Sequence, residues 1–372
     1  MTRVSAAGYR RAYVTLVGVA AVMGVLAFVV SQRYDRPLLD PEGAFLGPSW
    51  LRLPLLLLIT ATLDVVPRML WYSRLRPAVM LPVVRDRLRT HWTRRRVTLV
   101  VLGIVCFYVT YVSYRNLKSA LPFVRSFDNP DDMFDRELNT VDKMLFFGGR
   151  PGPVLHDVLG TNVVAHVLSW IYLLFVPLVP LAVMAWIVWS RRISYGYWFA
   201  TSQCLAWSIG TASYYALPTL GPAFHYAPGY TDLAHTPTTD LIRSLDRSRD
   251  LLLYGGYDGS GVEGIVNSVA GFASLHCGIT LLWALMVQFT LRSTALKRIF
   301  WVNFGLTVVA TIYFGWHYLA DDVAGIMIAF VSFYLGGLAT GQRFDRRHKN
   351  RPEPDVENDT DVVRQVDTPL AL

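Results

Sequence analysis

The sequence predicts an all-α polytopic membrane protein with about eight transmembrane helices, on three observations. Hydrophobic residues make up 53% of the 372 residues and charged residues only 17%, with a mean hydropathy of +0.35. Several apolar runs reach or approach the ~20 residues that span a bilayer core. The basic residues gather in short segments between those runs, as in the cytoplasmic loops of membrane proteins. This pattern excludes a cytosolic enzyme, a disordered scaffold and a disulfide-stapled secreted domain.

The runs follow one another along the chain at residues 12–30, 50–72, 97–114, 163–190, 195–217, 269–291, 299–316 and 323–341. The first, behind Arg3, Arg10 and Arg11, exceeds the 7–15 residues of a signal-peptide core and reads as an uncleaved helix. The second is interrupted by Arg52, Asp64 and Arg68, which are expected to pair with one another unless they line a transport path. Between the second and third runs, residues 74–96 hold eight arginines against one acid, Asp86. That cluster, the N-terminal arginines, Arg191 with Arg192, Arg292 with Lys297 and Arg298, and the basic stretch after residue 342 all fall on one side at alternate crossings. The positive-inside rule therefore puts both termini in the cytoplasm and the long connections 115–162 and 218–267 outside. In a bacterium this corresponds to the inner, plasma membrane.

Within the first outer connection, residues 134–159 mix acids with Leu145, Phe146 and Phe147. They read as a helix lying in the interface and ended by Gly148 and Gly149. Arg243, Arg247 and Arg249 alternate with Asp240, Asp246 and Asp250, which suits a solvated outer helix. The organisation expected is a two-helix extension over 1–96, a six-helix catalytic core over 97–342 and a disordered cytoplasmic tail over 343–372. Net charge is +8, but no nucleic-acid recognition motif accompanies it. Cys106, Cys204 and Cys277 stand singly in apolar surroundings and are expected to pack in the core. His156, His166, His225 and His235 have no metal-ligand spacing, so neither a metal nor another cofactor is expected.

Ionisable residues near a membrane face are costly, so each is a candidate site. Gly271-Phe272-Ala273-Ser274-Leu275-His276-Cys277-Gly278 opens the sixth span, and Gly315-Trp316-His317-Tyr318-Leu319-Ala320-Asp321-Asp322 joins the seventh to the eighth. A hairpin of two spans lies between the histidines, so the chain returns to its starting level and the two side chains can meet. His317 and Asp321 are four apart, which on a helix face places a carboxylate where it can hold Nδ1–H and leave Nε2 free. A second histidine across the site can then move protons to and from oxygen. Ser274 stands at a helix start, where free backbone N–H groups favour an anion. The bland alternative is that both histidines are polar tips at headgroup level. Tyr214 and Tyr215, ahead of Pro218 and Pro222, suit the wall of a headgroup site or ordinary belt aromatics equally.

Ser274-Leu275-His276-Cys277-Gly278 followed by Gly315-Trp316-His317-Tyr318-Leu319-Ala320-Asp321-Asp322 resembles the last two motifs of the type-2 phosphatidic acid phosphatase superfamily. The resemblance is closest to the branch containing inositol phosphorylceramide synthase and the sphingomyelin synthases, and it extends over residues 97–341. It implies a six-helix core, a site near the outer face, His276 as acid and base, His317 as nucleophile and Asp321 as its partner. Lys143 and Arg150-Pro151 match the spacing of the superfamily's first motif, although they lie far ahead of Ser274. With Ser274, Asp322, Tyr214 and Tyr215 they form the expected substrate-binding set. The phosphatase branch carries Ser-Arg where this chain has Ala310 and Thr311. A missing arginine tilts the expectation from a monoester, with two negative charges, toward a diester with one.

The expected function is transfer of a phosphorylated headgroup, phosphoinositol by the resemblance, from a phospholipid donor to a lipid or glycolipid acceptor through a phosphohistidine. A lipid phosphate phosphatase acting on phosphatidate or a polyprenyl phosphate is the alternative, and a non-enzymatic transporter the second alternative.

Overall fold

In the computed structural model, which describes residues 6–40, 48–125, 133–254, 269–344 and 350–352, each of the eight apolar runs is a long helix. These are α1 (Ala6–Arg33), α2 (Ser49–Ser73), α4 (Arg94–Val124), α7 (Val163–Trp189), α8 (Ile193–Ala216), α11 (Leu275–Thr290), α12 (Thr294–Tyr313) and α13 (Leu319–Ala339). Between them lie α3 (Pro77–Thr90), α5 (Asp135–Leu145), α6 (Pro151–Leu159), α9 (Pro222–His225) and α10 (Pro237–Tyr254). The chain is an all-α polytopic membrane protein. Among the described residues, α1, α2, α4, α7, α12 and α13 are long and apolar enough to cross a bilayer on composition alone.

The other two long helices depart from that rule because of where they sit. α8 packs against α1, α4, α7, α11 and α13, and α11 against α7, α8, α12 and α13. Helices surrounded by protein need not be apolar on every side, so α8 buries Ser194, Thr201, Ser202 and Gln203 among its neighbours. Packing and interhelical hydrogen bonds hold such a bundle together, since lipid is as apolar as leucine. The Trp198 indole N–H, for example, donates to the Phe333 carbonyl at 2.8 Å and stitches α8 to α13.

Three sequence expectations need correction. The charges of α2 do not simply pair with one another: Arg52 donates to Ser49 Oγ, and Asp64 takes Arg87 from α3 at 2.5 Å as well as Arg68 at 3.8 Å. A carboxylate in a spanning helix is thus neutralised by the arginine-rich loop, which is itself helical. The third span does not stop at Tyr114. It runs to Val124, so Arg115 and Lys118 stand on the helix and not in a connection. Finally, Gln342–Phe344 pairs antiparallel with Asn350–Pro352, and Phe344 packs on Trp198 and Phe333, in a stretch expected to be tail. The rest of that tail lies outside the described residues.

The interface segment divides into α5 and α6. Phe147 (φ 52°) and Gly148 (φ 94°) turn the chain between them. Met144, Leu145 and Phe147 are exposed, whereas Asp135, Asn139 and Asp142 are buried. The Asp135–Asn139–Asp142 stripe of α5 therefore faces protein, and its exposed side mixes apolar residues with Arg136, Glu137 and Lys143.

α11 and α13 approach closely enough for backbone to touch backbone. The Ser274 N–H donates to the Asp321 carbonyl at 2.9 Å. A Cβ on Gly325 would collide with the Ser274 carbonyl, and one on Gly278 with the Gly325 carbonyl. Gly325→Ala is expected to cost about 1–3 kcal/mol, because the obstacle is backbone and cannot rotate away. Gly18→Ala, where nothing lies within 4 Å of the new methyl, should be neutral or stabilising by up to about 1 kcal/mol. Thermal unfolding in detergent compares the two.

Candidate active site

Both histidines stand at the end of the bundle where α11 and α13 begin. Ser274 caps α11, its hydroxyl accepting from the Cys277 N–H at 3.4 Å, and His276 follows in the first turn. α12 ends at Tyr313; Gly315 (φ 68°), Trp316 and His317 form a short link, and α13 opens at Leu319. His317 thus precedes its helix and does not share a helix face with Asp321. The two meet through capping geometry. Asp321 Oδ2 reaches back to accept the Tyr318 N–H at 3.0 Å, and the same oxygen lies 3.4 Å from His317 Nδ1. That spacing is longer than a formed charge-assisted hydrogen bond, and such contacts commonly tighten only once substrate is bound.

The rings of His276 and His317 are 6.4 Å apart, centroid to centroid, and inclined at 52°. Both line one cavity of about 170 Å³. Tyr172 stacks on His276 at 4.2 Å and on Trp316 at 5.1 Å, and Phe175 lies 4.2 Å from His276. These contacts restrict the orientation of the His276 imidazole. Tyr214, Arg115 and Lys118 line the same space, while Val176 and Val179 of α7 and Leu241 and Leu245 of α10 make it apolar elsewhere. Burial holds the His317 imidazole down to about 4; Asp322 opposes that shift and the charge of Lys118 adds to it. The ring is therefore neutral at pH 7.

Not every expected site residue reaches the cavity. Asp322 accepts from Thr311 Oγ1 and Cys277 Sγ, both at 2.9 Å, tying α11, α12 and α13 together in a buried cluster with Ser274 nearby. Neither Asp322 nor Ser274 lines the cavity. Thr311, at the position of the absent arginine, is fully buried in the same cluster. Lys143 is exposed on α5. Arg150 donates to Asn139 Oδ1 at 3.1 Å and lies over the Tyr226 ring at 4.0 Å, away from both histidines. The Tyr215 hydroxyl donates to the Leu117 carbonyl at 2.6 Å. Of the expected substrate-binding set, the cavity lining includes Tyr214.

Sequence reasoning missed two carboxylates. Asp135 is fully buried and accepts the Leu220 N–H (2.9 Å), the Gly221 N–H (2.9 Å) and the Tyr318 hydroxyl (2.9 Å). Asp142 accepts the Leu319 N–H at 3.2 Å, and burial pushes its carboxyl up to about 6 against that hydrogen bond. α5 therefore holds the start of α13, through Tyr318 and Leu319, together with the Leu220–Gly221 turn. The signal was available only weakly, as the i, i+4, i+7 spacing of Asp135, Asn139 and Asp142 on a helix that also carries Arg136, Glu137, Thr140 and Lys143. Gly221 (φ 99°) completes the arrangement, since a Cβ there would strike the Trp316 carbonyl, and Ala223 N–H donates to Gly315 at 2.7 Å. His156 has both nitrogens engaged, Nδ1 with Asp232 at 3.0 Å and Nε2 with the Tyr313 carbonyl at 2.8 Å, which suits an anchor for the end of α12. Among the described residues, no three His, Cys, Asp or Glu side chains are grouped to hold a metal. Tyr318→Phe, which leaves the Asp135 carboxylate one donor short, is expected to cost about 1.5–3 kcal/mol in thermal unfolding.

Residues 136–335 match the PAP2 superfamily, a span from the first turn of α5 into the second half of α13 that contains both histidine motifs. No curated protein and no solved structure matches the chain. Because the match takes in more than half of the 372 residues and runs through the whole His276–His317 site, the chain belongs to the PAP2 superfamily.

Proposed function

We propose that this protein is a lipid phosphotransferase that moves a phosphorylated headgroup between lipid-linked molecules through a phosphohistidine on His317. Membership of the superfamily supports an enzyme of the lipid phosphatase and phosphotransferase type in general. The observation that carries the finer reading is that His276 and His317 face one cavity whose remaining walls combine basic and apolar side chains. With Nδ1 turned toward Asp321, Nε2 of His317 is the attacking atom. It forms the P–N bond as the P–O bond to the donor lipid breaks, and His276 gives a proton to the departing oxygen. In the second half-reaction His276 takes the proton of an acceptor hydroxyl, whose oxygen displaces Nε2 from phosphorus. The Asp321 carboxylate offsets the positive charge that grows on the His317 ring.

Phosphoinositol is the proposed headgroup, on the resemblance of the two motifs to the inositol phosphorylceramide synthase branch. The proposed site faces outward in the plasma membrane, because Arg94, Arg95 and Arg96 mark the opposite end of α4 as cytoplasmic. One observation favours a second reading, hydrolysis of a lipid phosphate monoester. Arg115 and Lys118 put two basic side chains in the cavity lining, which suits a more highly charged monoester. Water then takes the place of the acceptor hydroxyl.

Purified protein in detergent, given headgroup-labelled phosphatidylinositol and a crude lipid extract, is expected to move label into a new lipid. His317→Ala and His276→Ala should each reduce the rate by about a hundredfold or more. Release of free phosphate from phosphatidate, without transfer, would select the second reading; full turnover in His317→Ala would remove the catalytic assignment altogether. A pH profile adds an independent check. His317 takes up its proton near 4 when folded and near 6.5 when unfolded. Stability should therefore fall as pH drops from 6.5 toward 4, and the acid limb of kcat/KM from the nucleophile should lie near 4.

A further inference from the structure

Exposed apolar side chains cluster at the C-terminal end of α5, in a connection that lies between spans. Arg136, Glu137 and Thr140 occupy the exposed side of the first turns, and Val141, Met144 and Leu145 that of the last. At i, i+3 and i+4 these three share one face of the helix. Phe147 follows in the turn to α6 and is fully exposed. The exposed side thus passes from polar to apolar along the helix. Lys143 stands exposed among the apolar residues, on a stem long enough to carry its ammonium back to water. The level of this patch is set by its neighbours. Asp142, in the same turn, accepts the N–H of Leu319, the first residue of α13. His156 of α6 meets the carbonyl of Tyr313, the last residue of α12, and the Tyr313 hydroxyl donates to the Gly160 carbonyl at 2.7 Å. α7 opens just beyond, at Val163. The α5–α6 hairpin therefore lies where three spanning helices start or stop, at the boundary between hydrocarbon and water.

We infer that the patch formed by Val141, Met144, Leu145 and Phe147 is seated in the lipid leaflet on the side of the His276–His317 site. The last turn of α5 lies among the headgroups and Phe147 reaches the top of the acyl chains. Apolar surface continues from this level down the spans. Val163, Val167, Trp170 and Leu174 are exposed along one stripe of α7, and Val323 and Met327 along α13, against which α5 packs. On spanning helices such stripes face lipid, so the occupant of the neighbouring patch is the same phospholipid surface. The inference holds whichever reaction the site performs. Because Asp135 and Asp142 bind the Tyr318 hydroxyl and the Leu319 N–H, the helix seated in the leaflet is also the one that holds the start of α13.

The three cysteines of the chain are buried, so a cysteine placed on the surface can be labelled alone. Phe147→Cys, Met144→Cys and, as the polar reference on the same helix, Glu137→Cys are each labelled with nitrobenzoxadiazole in full-length protein. All three positions are exposed, and thermal unfolding at the wild-type temperature checks that each variant is folded. The proteins are reconstituted in phosphatidylcholine vesicles. Quenching is read with phosphatidylcholine bearing a nitroxide high on its acyl chain, and separately with iodide on both faces of the bilayer. The ratio of lipid to iodide quenching is expected to be about fivefold or more higher for Phe147→Cys and Met144→Cys than for Glu137→Cys, since an interfacial helix buries its apolar face about 5–10 Å into the boundary of headgroups and acyl chains. The dye's own affinity for lipid is common to all three and cancels. A Phe147→Cys ratio within about twofold of the Glu137→Cys ratio overturns the inference, because the patch then lies in water. Protection of Phe147→Cys from both quenchers would place protein over the patch, a second copy or another chain, and would overturn the lipid assignment.

Discussion

The close approach of α11 to α13 governs the site. Two catalytic candidates carried on separate helices are useful only if the helices are held at a fixed separation, and here the fixing is done by absence of side chains. Gly278 and Gly325 let one backbone rest on the other, and the Ser274 N–H bonds directly to the Asp321 carbonyl. Between helices in lipid there is little hydrophobic force to exploit, so close van der Waals contact and hydrogen bonds define the geometry. His276 lies one residue into one of these helices, and His317 two residues ahead of the other.

That crossing fixes depth but not the conformation of the link that bears His317. Buried carboxylates do this. Asp142 binds the Leu319 N–H just past the link, Asp135 binds the Tyr318 hydroxyl and the N–H groups of Leu220 and Gly221, and Asp322 ties α13 to α11 and α12. Asp135 accepts from three donors, whereas Asp142 accepts from the Leu319 N–H and its burial still outweighs that bond. The imidazole above them has none of these bonds to its Nδ1 beyond the 3.4 Å approach of Asp321.

Much of this was legible in the amino-acid order, for reasons that differ by element. The eight long helices were visible because lipid imposes a simple length and composition rule, and even α8 and α11, which fail the rule taken strictly, sit in apolar runs. The meeting of His276 with His317 followed from counting crossings. What topology could not supply was the end of α4. Arg115 and Lys118 look like the start of a loop because a hydropathy window penalises them, whereas the helix continues as protein surrounds it. Asp322 was expected in the substrate-binding set; adjacent helical residues point about 100° apart, and it accepts from Cys277 and Thr311 within the bundle. Lys143 and Arg150 match a motif spacing and lie within the family match, but neither side chain lines the cavity, which spacing alone could not foretell. Asp135 was overlooked because α5 carries polar residues on both sides, and nothing in their order separates the buried Asp135, Asn139 and Asp142 from the exposed Arg136, Glu137 and Lys143.

Val176 belongs both to the cavity wall and to the exposed flank of α7, so the cavity reaches the surface that the bundle turns to lipid. A substrate arriving by that route never dissolves in bulk water. Its collision rate is set by two-dimensional diffusion within one leaflet, and its effective concentration is a mole fraction among neighbouring lipids. Adding detergent dilutes such a substrate at constant molarity, so any apparent Michaelis constant for a substrate taking that route has meaning only when expressed per unit of surface.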